Sequence, residues 1–356
     1  MTYSDIAHLR LLNQHISQSL IGTPAQVVEH LGAMQAQDYF GSKWAIGLRL
    51  QGAVDCDIEE AFNDGSILRT HLLRPTWHYV TPSDIRWMLA LTASRVHAAN
   101  AYMYRKLELD ATAFSRSNAA IEAALEGGNQ LTREELRTAI ERAGVATRGE
   151  LRLGYLMMHA ELEGLVCSGP RCGKQFTYAL LEERVLVAKP LDRDEALAEL
   201  SSRFFISHGP ATVYDLAKWS GLTVTEARNG LDMVRSKLAC ENLDGQTYWL
   251  SASTELAVAR SPKVFLLPIY DEYTIGYKGH RAVFNPEHAD KWVFTFPHTI
   301  VINGVVVGTW KRTLKKNAVV IETNTFVPLT KTEREAVVEA GQPYGAFLNL
   351  PVTMLD

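Results

Sequence analysis

Three stretches of the chain share one layout: a helix, a tight turn, a second helix, and two short strands closed by a reverse turn. The clearest is residues 211–250. Val213, Leu216 and Ala217 mark the apolar face of a helix over 212–219, and Ser220-Gly221-Leu222 reads as the turn. Thr223 or Thr225 opens a second helix carrying Ala227, Leu231 and Val234, and strands 238–243 and 247–250 flank Asp244-Gly245. In residues 131–181 the run Thr132-Arg133-Glu134-Glu135 is a capping box that opens a helix over 136–143, ended by Gly144. A long helix over 151–165 follows, then strands 166–168 and 175–180 around Gly169-Pro170-Arg171-Cys172-Gly173-Lys174. The first copy is the most degenerate, with helices at 6–20, 24–34 and 58–63 and strands 67–73 and 76–80 turning at Arg74-Pro75.

Helix-turn-helix units with a β-wing, repeated in one chain, set the fold class. The expectation is an α+β protein of three tandem winged-helix units followed by a mainly-β domain. Beyond residue 262 the pattern changes to strands: an apolar run at 264–269, a hairpin of 299–302 and 305–309 over Asn303-Gly304, and strands 312–314 and 318–323 across Lys315-Lys316-Asn317. A closing helix over 330–340 starts at a Thr cap and ends at Gly341. The expected domains are 1–110, 111–190, 191–261 and 262–356.

No apolar run approaches the ~20 residues that span a bilayer, so no membrane partner is expected. The four cysteines are scattered and lack paired zinc spacing, which points to reduced thiols in a cytoplasmic protein and to no metal site. Net charge is −4, from 36 basic and 40 acidic residues, and its distribution matters more than its sum. Between Ser66 and Lys106, Arg69, Arg74, Arg86, Arg95, Arg105 and Lys106 face Asp84 alone, and a second basic region runs from Lys278 to Lys316. This asymmetry permits a phosphate-binding surface, for which the candidate contacts are Arg69, His71, Arg74, Arg148, Arg152, Lys311, Arg312, Lys315 and Lys316.

Met34-Gln35-Ala36-Gln37-Asp38 follows a short helix capped by Thr23, with Pro24 at its first turn and Val27, Val28, Leu31 and Met34 at helical spacing. Gly32 interrupts that pattern, so the helix fails near Met34 and the motif is extended. Residues i and i+2 lie about 200° apart on a helix but share a face on a strand. Gln35 and Gln37 would then present two carboxamides together, with donors and acceptors but no titratable proton. Asp38 faces the other way. His78 reads as a hydrogen-bonded packing residue, and Asp271 as a cap or anchor of the β domain.

In this order, the motif set resembles the winged-helix DNA glycosylase family typified by AlkZ, a bacterial family associated with unhooking crosslinked DNA. It comprises Gln35-Ala36-Gln37, Leu68-Arg69-Thr70, Arg74-Pro75-Thr76-Trp77-His78, His208-Gly209-Pro210-Ala211-Thr212, Leu266-Leu267-Pro268-Ile269-Tyr270-Asp271 and Val306-Val307-Gly308-Thr309-Trp310. A sister branch, typified by YcaQ, carries Asp in place of the second Gln, and Asp38 is one position too late for it. The resemblance implies a concave surface for double-stranded DNA and a Gln-hydrophobe-Gln motif that carries catalysis, matched here by Gln35 and Gln37. An N7-alkylated purine is already cationic, so its glycosidic bond is weakened in advance. Two carboxamide oxygens then suffice to hold a water near C1′ and to stabilise an oxocarbenium ion. The expected activity is that of a monofunctional DNA glycosylase, metal-independent and without cofactor, acting as a monomer. The alternatives are a non-catalytic winged-helix regulator or lesion sensor, and a protein-interaction scaffold.

Overall fold

The computed structural model describes residues 1–149, 151–186, 190–253, 263–284 and 297–355. Helix α1 (Tyr3–Asn13) is followed by α2 (Pro24–Leu31), β1 (Met34–Gln35), α3 (Tyr39–Gly47), α4 (Asp55–Asp64), β2 (Leu68–Leu72) and β3 (Arg74–Val80). The long α5 (Ile85–Lys106) leads to α6 (Ala111–Leu125), β4 (Leu131–Thr132), α7 (Arg133–Arg142), α8 (Arg152–Leu162), β5 (Val166–Ser168), β6 (Thr177–Leu180) and the single turn α9 (Leu181–Arg184). Then come α10 (Arg193–His208), α11 (Val213–Ser220), α12 (Val224–Val234), β7 (Leu238–Leu243) and β8 (Gln246–Ser251). The C-terminal part holds β9 (Val264–Leu267), α13 (Glu272–Ile275), β10 (Thr299–Ile302), β11 (Val305–Lys315), β12 (Ala318–Thr325), α14 (Lys331–Ala340), α15 (Gln342–Leu348) and β13 (Val352–Leu355).

The same order recurs: helix, short strand, two helices, hairpin. The short strand pairs with the later strand of its hairpin, giving sheets β1-β3-β2 and β4-β6-β5. In the third copy β7 and β8 pair with each other, and Ala211 bridges Trp249 of β8 in the place the short strand holds elsewhere. The capping signals act as read: Thr132 accepts from the Glu135 N–H, and Thr212 and Thr223 cap α11 and α12. Gly221 ends α11 at φ +72, where a Cβ would lie 2.2 Å from the Leu73 carbonyl oxygen, so this turn also seats the third copy on the first hairpin.

Several details differ from the sequence reading. The first hairpin turns at Leu73, φ +61, so Arg74 and Pro75 belong to β3. In the first copy the middle helix is α3, a largely buried segment without an amphipathic pattern, while α1 stops at Asn13 and packs on the C-terminal part. Strands expected at 305–309 and 312–314 are one strand, β11, because Trp310 remains in register with β12. After α14 the chain adds α15 and β13, which pairs parallel with β12 and completes the order β13-β12-β11-β10-β9. The Asn303-Gly304 turn has positive φ at both residues, as a tight hairpin requires.

The C-terminal sheet shares a core with the first copy. Val28 and Leu31 of α2, Trp44 of α3 and Phe62 of α4 pack with Ile300, Trp310 and Tyr344. A second core joins β2 and α5 to the third copy through Leu68, Leu72, Met88, Phe204, Phe205 and Trp219. The second copy keeps its own core around Phe114, Ile121, Leu136, Ile140 and Leu156. The boundary expected at 261/262 lies outside the described residues.

Candidate active site

Helix α2 ends at Gly32, φ +81, and the chain straightens into β1. Met34 pairs with Tyr79 and Gln35 with His78, and the Ala36 N–H donates to the Trp77 carbonyl at 2.8 Å. Met34 and Ala36 point into the core, 1% and 0% exposed. Gln35 is half-buried within β1, and Gln37 is exposed two residues on, past the end of the strand. Asp38 is engaged elsewhere, where its Oδ2 accepts the Gly41 N–H at 2.7 Å and caps α3.

The Gln35 and Ala36 peptides and the Gln37 side chain are each tied down. The Gln35 N–H donates to Glu272 Oε1 at 2.7 Å, and Glu272 Oε2 accepts from Trp219 Nε1–H at 3.0 Å, with His208 Nε2 3.6 Å away. Glu272 is 1% exposed. Burial alone would raise its carboxyl, but the His208 ring, the Arg74 charge and the Gln35 N–H outweigh it and hold the group at about 2. The Ala36 carbonyl accepts from Arg69 Nε–H at 3.0 Å, and Gln37 Oε1 accepts from the Trp77 N–H at 3.4 Å. On the neighbouring strand β3, His78 is completely buried; its Nδ1 lies 2.9 Å from the Thr76 carbonyl and its Nε2 3.4 Å from Arg74 Nη2. Burial first, and Arg74 second, push His78 down to about 3, so the ring is neutral at physiological pH. Gln35 Oε1 is buried and has no hydrogen-bond partner among the described residues. A buried carbonyl oxygen left open in this way, on a strand whose backbone is fixed, is suited to hold a water or an electron-poor centre.

The basic candidates divide sharply. Arg69 and His71 are not surface groups. β2 is covered by the second copy, where the Arg69 N–H meets Ser168 Oγ at 2.9 Å, and its guanidinium lies over the rings of Trp77 (4.2 Å) and Phe176 (4.8 Å). Burial pulls the Arg69 guanidinium below its usual value. His71 is 4% exposed and hydrogen-bonded to Glu161, so the sequence expectation of a groove contact is corrected to an internal pair. Arg74 is half-buried beside His78. Arg152 donates to the Leu107, Ala146 and Glu108 carbonyls and closes the end of α5. Arg312 is half-buried against the Tyr344 hydroxyl. Arg148, Lys311, Lys315 and Lys316 are exposed. Asp271 anchors as expected: both its oxygens pair with Arg49 at 2.8 Å in a fully buried contact.

The profile of a family described as DNA glycosylase AlkZ-like matches residues 28–347. The chain belongs to the AlkZ-like DNA glycosylase family. A relative from Streptomyces sahachiroi, named an interstrand DNA cross-link repair glycosylase, is 24% identical over 322 residues, covering 85% of each chain. The solved structure of Streptomyces sahachiroi DNA glycosylase AlkZ superposes with a TM-score of 0.80 at 20% identity over 100% of both chains, a likeness of fold. The span matched to the AlkZ-like family contains Gln35, Gln37 and Glu272 and leaves α1 outside. Glu272 and Trp219 went unnoticed in the sequence. The available signal was Asp271-Glu272 within the apolar run Leu266–Tyr277, where two carboxylates can be buried only if both find donors.

Proposed function

We propose that the protein is a monofunctional DNA glycosylase that hydrolyses the N-glycosidic bond of cationic N7-alkylpurines, including those joined in interstrand crosslinks. The observation that carries this reading is the open, buried Oε1 of Gln35, two residues before Gln37, on a strand anchored by an ionised carboxylate. In the reaction the C1′–N9 bond breaks, its electron pair neutralises the alkylated purine, and water adds to C1′ and releases a proton to solvent. The carboxamide oxygens orient that water and present negative dipoles to the oxocarbenium ion. Neither changes protonation state, which suits a leaving group that is already charged. The name of the Streptomyces relative, an interstrand DNA cross-link repair glycosylase, supports the cross-linked part of this substrate range.

The three repeats are read as winged-helix units, 1–110, 111–190 and 191–261, with a β domain over 262–356. Together they form the surface that takes double-stranded DNA. Arg148, Lys311, Lys315 and Lys316 are its exposed phosphate contacts, with Arg312, Arg74 and Arg152 behind them. Arg69 and His71 support the motif from within. The protein acts as a monomer in the cytoplasm and needs neither cofactor nor metal for this step.

The test is incubation with duplex DNA carrying one N7-methylguanine, followed by alkaline cleavage at abasic sites. Strand breaks in a chelator-containing buffer are the expected result. Tight binding with no break on this duplex or on an N7-crosslinked one would turn the reading to a non-catalytic lesion sensor.

A further inference from the structure

His97 stands on α5, and His159 and Glu163 stand one turn apart at the end of α8. Packing of the two helices brings His97 Nε2 to 3.0 Å from Glu163 Oε1, and His159 Nε2 to 4.0 Å from the same oxygen. One ligand atom from each residue lies within 4.8 Å of the other two. A simple hydrogen bond would account for the 3.0 Å contact, yet His97 Nε2 is buried and makes no hydrogen bond among the described residues. A donor points at its acceptor, whereas two ligands of one ion point at a third position between them. With metal–nitrogen and metal–oxygen bonds of about 2.0–2.1 Å, tetrahedral ligands stand roughly 3.3–3.4 Å from each other, so closing the widest pair needs at most about 1.5 Å of side-chain adjustment.

The surroundings fit the same purpose. His97 Nδ1 lies 2.9 Å from the Tyr104 hydroxyl, the outer bond that fixes the ring and leaves Nε2 facing the cluster. His159 is stacked on Phe114, ring centroids 3.8 Å apart and 11° from parallel. Its Nδ1 is buried and also makes no hydrogen bond among the described residues. We infer that His97, His159 and Glu163 form a binding site for a divalent transition metal of the zinc class. Two imidazoles with one carboxylate suit zinc, cobalt or nickel, not the all-oxygen preference of calcium or magnesium. Glu163 is half exposed, which leaves room for water in the remaining position. The ion would clamp α5, which follows the first repeat, to α8 of the second. It takes no part in the glycosidic step, so the inference stands whether or not the proposed activity does.

The experiment uses full-length protein stripped with a chelator and then titrated with zinc chloride by calorimetry and with cobalt(II) by absorption. One zinc is expected per chain, with a rise in melting temperature. Cobalt should give visible d–d bands and no near-ultraviolet thiolate band. Glu163→Gln, a change at a solvent-facing helix end, and His97→Ala should each weaken zinc by at least about tenfold at unchanged circular dichroism. Absence of saturable zinc binding overturns the inference. So does a cobalt–thiolate band, which would move the metal to the exposed cysteines, or an affinity that neither substitution alters.

Discussion

Glu272→Gln is the substitution that most directly probes how the glutamine strand is held. The native carboxylate accepts two buried donors, the Gln35 N–H at 2.7 Å and Trp219 Nε1–H at 3.0 Å. A carboxamide has one oxygen, so its NH2 must face whichever donor is left over. A buried donor without a partner costs about 1–3 kcal/mol, and losing charge on the acceptor of the other bond adds a similar amount. Arg74 also loses the opposite charge that steadies its guanidinium. The expected destabilisation is about 2–5 kcal/mol. If Gln35 loses its anchor, base release in single turnover should slow about 10–100-fold, equivalent to roughly 1.4–2.7 kcal/mol of barrier, with DNA affinity unchanged. Thermal melting, single-turnover release of N7-methylguanine and a binding isotherm on the same duplex separate these effects. Adding Trp219→Phe removes the conflicting donor and should recover part of the melting temperature but not the rate. Unaltered melting and unaltered rate in Glu272→Gln would refute the anchoring argument.

Arg69→Ala should lower stability by about 2–4 kcal/mol and slow base release, because it strips the Ala36 carbonyl of its donor, yet leave the salt dependence of DNA binding as it was. Lys315→Ala with Lys316→Ala should do the opposite: unchanged melting, weaker DNA binding, and a salt slope shallower by about 0.9 for each phosphate no longer neutralised. Asp38→Ala should cost about 0.5–2 kcal/mol through the missing α3 cap, with base release retained when measured on the folded fraction. Acid should destabilise the fold early. His78 binds its proton near 6.5 when unfolded and near 3 when folded. The unfolded state therefore takes up the extra proton, and stability falls as pH drops below about 6.5, by up to about 1.4 kcal/mol per unit for this ring. Glu272, near 2 when folded against 4.5, adds to the loss below about 4.5. Melting curves from pH 7.5 to 4.5 measure that slope.

Local signals carried much of the fold. Threonine caps, the Gly221 turn, and the Asp244-Gly245 and Asn303-Gly304 hairpins each act within a few residues, so their structural consequences can be read from adjacent letters. Helix α3 could not be read that way. It is buried on nearly every side, and a helix without a polar face leaves no periodic trace. The same limit governed the site. That Gln35 leaves the helix for an extended segment needed only the break at Gly32. That Arg69 and His71 lie inside follows from β2 being roofed by residues about a hundred positions later, such as Ser168 and Glu161. Glu272, 237 residues from Gln35, is joined to it only by the packing of the C-terminal part on the first repeat.

The most direct test of the central claim is the single-turnover rate of N7-methylguanine release by Gln35→Ala and Gln37→Ala, each beside wild type, with DNA affinity measured on the same preparations. Loss of at least about a hundredfold in rate at unchanged affinity, the size expected when a transition-state dipole is removed, is the predicted result. Wild-type rates in both variants would contradict the assignment of the chemistry to the two glutamines.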